Sequence, residues 1–217
     1  VRGVVDRVDG WICGDKLYIR VVDYKTGIKT FNLSDIWYGM GMQMLIYLFA
    51  LKKYAAKGKD TDPIAAGVMY FPARVDRISI SQRDDIKAIQ DGRSKAEKRS
   101  GILLKDEKVL YAMDPSDHYR FLPCKISKGE LRGTLADEEQ FALLERHIHH
   151  KIHDFTAGIA QGQIEPNPYY IDSSRQSCTW CPYGSVCANR GSRRVLPKLK
   201  DEDFWNLLEE DDANGQN

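Results

Sequence analysis

From Val1 to Lys25, apolar and polar residues alternate as they do in paired strands. Gly14-Asp15 is a Gly-first dipeptide of the kind that makes a two-residue type II′ hairpin turn. With the turn there, residues whose numbers sum to 29 face each other, which places Asp6 opposite Asp23 and Val4 opposite Lys25. Period two puts Asp23 and Lys25 on one face. Further along, Ser34 reads as an N-cap with Asp35 in the first turn, and the apolar-rich run from Ile36 to Ala56 predicts a buried helix. Residues 58–63 read as a loop, and Ala65 to Phe71 as a buried strand bounded by Pro72. Gln82 to Arg132 is charged and mixed. Asp137 to Gly162 predicts a long helix with acidic residues at its start and a glycine near its end.

The hairpin carries the first candidate chemistry. Val4, Val8 and Ile12 on one strand and Leu17, Ile19 and Val21 on the other share the face of Asp6, Asp23 and Lys25, so three charges interrupt an expected core surface. Opposed carboxylates are destabilising unless something bridges them, and a hard cation with oxygen ligands is a natural bridge. An ammonium beside that cation can hold a phosphate oxygen or an attacking water as charge builds. Asp-x-Lys alone would be an ordinary ion pair at a solvated strand end; the opposed Asp6 favours a site. Gln43 and Tyr47 are four apart, share a helix face and could orient Lys25 or touch a nucleic-acid backbone, or simply line a helix–sheet seam. Arg7 and Asp9 point to the opposite face.

Cys178, Cys181 and Cys187 have the spacing C-x2-C-x5-C, which suits zinc or an iron–sulfur cluster; either usually needs four ligands. Cys13 and Cys124 read as ordinary thiols. An odd count of five cysteines without a signal peptide fits a reducing cytoplasm. His149 and His153 lie four apart on the long helix, where an exposed face touching solvent or nucleic acid is the stronger reading than a metal role, although His153 is a conceivable fourth zinc ligand. The 217 residues suffice for one sizeable core with an appended element. The net charge of +1 hides a basic middle (Arg93, Lys95, Lys98, Arg99, Lys105) behind the acidic stretch from Asp201 to Asp212, so charge permits nucleic acid without demanding it. No apolar run is long enough for a membrane span, and no G-x-x-x-x-G-K-[ST] loop assigns ATP binding.

Gly3-x-x-Asp6-Arg7-x-Asp9, then Asp23-Tyr24-Lys25-Thr26-Gly27, then Gln43-x-x-x-Tyr47 together resemble the RecB-type branch of the PD-(D/E)XK nucleases. The resemblance implies that Asp6 and Asp23 are metal-binding carboxylates, that Lys25 is the catalytic lysine, and that Gln43 and Tyr47 form the helix motif. The cysteine triplet is similar to that of RecB-type nucleases in which a fourth, upstream cysteine closes a [4Fe–4S] staple; that ligand is expected outside this sequence. The stretch Arg99 to Asp114 resembles the insert of one subfamily, the AddB component of the bacterial AddAB helicase/deoxyribonuclease.

The resemblance implies an α/β fold with a restriction-endonuclease-like core, a mixed sheet flanked by helices and a C-terminal cysteine-cluster extension. The expected organisation is a nuclease core over 1–165 lacking its first helix and strand, with an insert at about 82–132, a cysteine segment over 166–192 and an acidic tail over 193–217. The implied activity is Mg²⁺- or Mn²⁺-dependent hydrolysis of DNA phosphodiesters, in a cytoplasmic heterodimer whose helicase–nuclease partner, AddA, supplies ATP-driven translocation for processing double-strand ends. The competing expectations are another RecB-type exonuclease, such as a CRISPR-associated one, and a non-catalytic DNA-end-binding iron–sulfur module.

Overall fold

The computed structural model describes residues 3–215 except 28, 59–60, 74–84, 117, 188, 190 and 192, with the backbone alone for 91, 94, 95, 214 and 215. Expectations that rest on Lys59, Asp60, Gln82, the Lys95 side chain or Arg190 fall outside the described residues. The chain divides into two compact units, one of residues 1–32 with 41–145, the other of residues 33–40 with 146–217.

The first unit is built on a mixed five-stranded sheet. β1 (Arg7–Cys13) and β2 (Lys16–Lys25) form the hairpin, joined by β3 (Asp62–Pro72), β4 (Ser100–Leu104) and β7 (Leu135–Ala136) in the order β1-β2-β3-β4-β7. β1 runs antiparallel to β2, β2 parallel to β3, β3 antiparallel to β4 and β4 parallel to β7. The hairpin register is the one expected, from Arg7 opposite Val22 to Cys13 opposite Lys16. Gly14 has φ +65°, while Asp15 is not among the residues of positive φ, as a type II′ turn requires.

β3 is the central strand and is buried almost throughout, so it reads as an uninterrupted apolar run rather than an alternating one. Its start, Asp62-Pro63, lies in the stretch expected to be loop. The β2–β3 register shifts between Ile19 and Arg20, where Gly67 takes φ +131° and a Cβ would lie 2.3 Å from the Ile102 carbonyl oxygen. Only glycine tolerates both the conformation and the approach of the neighbouring strand.

The long helix expected from Ile36 to Ala56 is two helices. α1 (Leu33–Trp37) and α2 (Gln43–Ala55) are separated at Gly39 and Gly41, both at positive φ, which ends one helix and redirects the chain. Ser34 is correspondingly not an N-cap; it lies within α1, and its hydroxyl accepts from the Leu199 N–H at 3.0 Å. α2 packs on β2 and β3 and buries Met44, Leu45, Leu48 and Phe49 on the sheet face of Ile19 and Val21. Each of these contributes about 1.5–3 kcal/mol of burial. Lys52 of α2 pairs with Glu145 at 2.9 Å.

The other sheet face is covered by α4 (Glu107–Met113) and the hairpin of β5 (Cys124–Ser127) with β6 (Glu130–Gly133), where Met69, Leu103, Leu110, Tyr119, Leu122 and Cys124 form a buried cluster. α4 is capped by Asp106, whose carboxylate accepts from Lys108 and Val109 N–H. α3 (Ile86–Glu97) precedes β4. β4 thus belongs to the main sheet although it lies within the stretch read as an insert.

One sequence expectation fails here. Val8 and Ile12 are 45% and 65% exposed and Val4 84%, so the β1 half of the expected core face is open. β1 is the edge strand of the sheet, and the buried α2 face covers β2 and β3 instead.

The second unit comprises α1, the part of α5 (Glu138–Ala160) from Arg146 onward, a short pairing of β8 (Tyr169–Tyr170) with β9 (Arg194–Val195), and α6 (Asp201–Gly215). α5 begins with a capping box in which Gln140 N–H donates to Asp137 and Asp137 N–H to Gln140. It ends at Gly162 with φ +69°. The acidic C-terminal stretch is helical and meets α1, and Phe204 and Leu208 are buried along with Leu33, Ile36 and Ile148 of the same unit. His147, from the histidine run, stacks on Trp37 at 5.1 Å and is buried. Among the described residues no helix is long and apolar enough to cross a membrane.

Candidate active site

The register that aligns Arg7 with Val22 continues past the ladder to Asp6, whose Oδ2 accepts the backbone N–H of Tyr24 at 3.0 Å. A side chain thereby takes the place of a ladder carbonyl and ties the approach to β1 against the end of β2. Asp23 and Lys25 flank Tyr24 on the opposite side of the strand. The Lys25 ammonium lies 2.6 Å from Asp23 Oδ2. That oxygen is inaccessible to solvent and makes no properly directed hydrogen bond, so the ion pair supplies charge without satisfying its lone pairs. A buried carboxylate oxygen in this condition is an open valence for a cation.

Gln43 is the first residue of α2, and its amide donates to the Tyr47 hydroxyl at 3.1 Å. Tyr47 in turn lies against Gly3, where a Cβ would come within 2.2 Å of the phenol oxygen. Glycine three residues before Asp6 therefore lets the chain pass directly over the Tyr47 ring. Asp6, Asp23, Lys25, Gln43 and Tyr47 all belong to the first unit. Asp23 with Lys25, and Gln43 with Tyr47, are directly bonded pairs.

On the reverse face, Arg7 Nη1 donates to the Tyr24 hydroxyl at 3.2 Å and Arg7 Nε to Asp9 at 2.6 Å, while Arg20 donates twice to Asp9. Burial alone would raise the Asp9 carboxyl, but hydrogen bonds from Arg20 and Arg7 outweigh it and hold it below the usual carboxylate range. Arg20 was not singled out from sequence, although the same hairpin arithmetic pairs it with Asp9.

The cysteine triplet lies in the second unit. Cys178 sits in a 3₁₀ turn (Ser177–Trp180), the Cys181 N–H donates to the Cys178 carbonyl at 3.3 Å, and Cys178, Cys181 and Cys187 are exposed. Among the described residues no three His, Cys, Asp or Glu side chains are gathered as a metal would require. His149 and His153 are exposed on α5. Cys124 is buried, and burial pushes its thiol up to about 11, which suits an inert core residue.

The PD-(D/E)XK nuclease superfamily matches residues 1–188. The chain is 32% identical over 220 residues to the B subunit of the ATP-dependent helicase/deoxyribonuclease of Ruminiclostridium cellulolyticum, covering 97% of this chain and 19% of that protein. It is 34% identical to the protein of the same name from Thermoanaerobacter sp. (strain X514), over 96% of this chain and 19% of that protein, and 30% identical to that of Oceanobacillus iheyensis, over 99% and 19%. The chain thus spans about a fifth of the length of the curated relatives it matches. With a mixed sheet carrying the Asp-Tyr-Lys run at the end of its second strand, and with the match extending through the cysteine triplet, the chain belongs to the PD-(D/E)XK nuclease superfamily.

Proposed function

We propose that this chain is a DNA nuclease domain that hydrolyses phosphodiester bonds with Mg²⁺ or Mn²⁺ held by Asp6 and Asp23. The observation that carries the reading is the buried Asp23 Oδ2, which lacks a directed hydrogen bond beside the Lys25 ammonium. The donor set is hard carboxylate oxygen, which fits Mg²⁺ or Mn²⁺. A bound cation there supplies Lewis acidity and a water of lowered pKa.

The chain's own residues do the rest. Asp6 is held at the strand end by the Tyr24 N–H. Lys25 stands where its ammonium can orient the attacking water and offset the negative charge that grows on the phosphate oxygens. The Gln43–Tyr47 pair presents a phenol and an amide beside the Gly3 segment, suited to a backbone phosphate or to steering Lys25. Isothermal titration with Mn²⁺ tests the carboxylates: binding should be lost in Asp23→Ala, and undiminished binding would count against the site.

The curated relatives' names extend the reading. By analogy with them, the chain serves a cytoplasmic helicase–nuclease that processes DNA ends for recombinational repair, with a helicase–nuclease A subunit as partner and no ATPase of its own. Cys178, Cys181 and Cys187 offer three accessible thiols, a donor set that fits a [4Fe–4S] cluster but leaves one iron without a ligand among the described residues. Such a group would supply a structural staple whose binding adds to folding free energy. Iron and sulfide analysis after anaerobic purification, compared with Cys181→Ser, decides it.

A further inference from the structure

The sheet face opposite Asp23 and Lys25 carries an arrangement that phosphodiester hydrolysis does not use. Along the β1–β2 hairpin, Trp11 and Tyr18 pack ring on ring at 5.3 Å, next to Arg20 and Asp9, next to Arg7, whose guanidinium bonds the Tyr24 hydroxyl. Beyond Tyr24, Phe71 meets its ring edge-on at 5.7 Å, and the Arg99 guanidinium lies 3.6 Å over the Phe71 centroid and 4.8 Å from that of Phe121. Trp11 is 36% and Tyr24 45% exposed, and the Arg7 side chain is 45% exposed.

The charges on this face do not balance. Asp9 is shared between Arg7 and Arg20, Arg120 is taken by Glu97, and the Asp114 carboxylate is committed to Ser116 and to the Phe121 N–H. Arg99 makes no ion pair among the described residues. Three guanidiniums, Arg7, Arg20 and Arg99, thus stand against one shared carboxylate, interleaved with exposed aromatic rings. A pocket of about 210 Å³ lies between Trp11, Tyr18, the Asp9–Arg20 pair, Val109 and Met113. That is smaller than the range of about 300–1,000 Å³ usual for small-molecule sites, and it offers aromatic walls with a donor and an acceptor at one side, as one planar base requires.

We propose that this face binds single-stranded DNA, with bases stacking on Trp11–Tyr18 and on Tyr24 and phosphates held by Arg7 and Arg99. Aromatic rings in a basic groove are the general solution for a single strand, because every base has a π-face and every linkage a charge. From Tyr18 to Tyr24 the platform runs about 20 Å at roughly 3.3 Å per residue, suited to a short run of nucleotides. Because Tyr24 stands between Asp23 and Lys25 in the same strand, a polynucleotide leaving the platform at Tyr24 rounds the end of β2 onto the carboxylate side. This last step rests on the nuclease reading; the binding itself does not.

The test is fluorescence anisotropy of a labelled oligo(dT) twelve-mer with the protein in EDTA, where no metal-dependent cleavage contributes. Trp11→Ala and Tyr24→Ala should each weaken binding at least fivefold, and Arg7→Ala should lower the salt slope by about one. Tyr54→Ala, an exposed aromatic on α2, should bind as the unaltered chain does. Photocrosslinking of a 5-iodouracil oligonucleotide to the unaltered protein, which needs no variant to fold, should map to Trp11, Tyr18 or Tyr24. Absence of binding, equal affinity in Trp11→Ala and Tyr24→Ala, or crosslinks confined to other segments would overturn the proposal. A protein that binds in this way yet cleaves nothing would leave the platform standing and remove the nuclease reading.

Discussion

The Tyr24 backbone N–H donates to Asp6 Oδ2 at 3.0 Å, so the carboxylate that precedes β1 is fixed by the residue that separates Asp23 from Lys25 in β2. One peptide group therefore sets the spacing between both candidate metal ligands and the lysine. This contact is a consequence of the Gly14-Asp15 turn, because a one-residue slip would send Asp6 to the opposite face.

From this follows the first prediction. Lys25→Ala should lower the cleavage rate by about 10²–10³, the usual cost of removing one preorganised charge donor, while oligonucleotide affinity stays within about twofold. Single-turnover cleavage alongside equilibrium binding separates the two, and a parallel loss of both would point to a binding role for Lys25.

Gly67 is the most intolerant position of the sheet. A Cβ there would meet the Ile102 carbonyl at 2.3 Å and the Leu103 Cα at 2.8 Å, at a φ of +131° that side chains avoid. Gly67→Ala should destabilise the chain by about 3 kcal/mol or more. Urea unfolding reads the change directly, and Gly129→Ala, at a position with nothing within 4 Å, provides the contrast with only its backbone strain.

His147 predicts how the second unit responds to acid. Burial first, and then Lys151, hold its imidazole below the ordinary value, against the opposing pull of the Ile36 carbonyl and Asp211. The unfolded chain therefore takes up a proton that the folded chain refuses. The contribution is fully present above the unfolded value of about 6.5 and declines as pH falls below it. Melting temperatures at pH 5 and 7.5 should differ more in the unaltered protein than in His147→Gln, and equal slopes would remove His147 as the cause.

Thiol chemistry should divide the cysteines by environment. At pH 8 a thiol pushed up to about 11 is only about one part in a thousand thiolate, and Cys124 is also buried. Iodoacetamide should modify Cys13, Cys178, Cys181 and Cys187 in the native protein and Cys124 only after unfolding, as peptide mass mapping would report. Early labelling of Cys124 would contradict its place in the core.

Much of this was legible because short-range rules govern it. The turn dipeptide set the hairpin register, the capping pattern at Asp137 marked the start of α5, and the apolar run marked β3. The errors came from tertiary context. Gly39 and Gly41 split the expected helix because Gly39 also accommodates the Phe155 ring, a contact 116 positions away in sequence that local pattern cannot reveal. Val8 and Ile12 alternate as core residues do, yet alternation records which side of a strand a residue occupies and not whether another element covers it. The stacking of Arg99 on Phe71 and Phe121 leaves no sequence signal, since it joins β3, the approach to β4 and a later loop. Asp6, Asp23 and Lys25 were readable from residue type and register; the unsatisfied Asp23 oxygen was not, because it depends on the angle at which the Lys25 ammonium approaches.

The most direct test of the central claim is cleavage of end-labelled single-stranded DNA by the protein, with and without its helicase–nuclease partner, in Mg²⁺ and in EDTA. The predicted result is cleavage in Mg²⁺ that EDTA abolishes and that falls to background in Asp23→Ala. Cleavage of equal rate in Asp23→Ala, or none under any of these conditions, would contradict it.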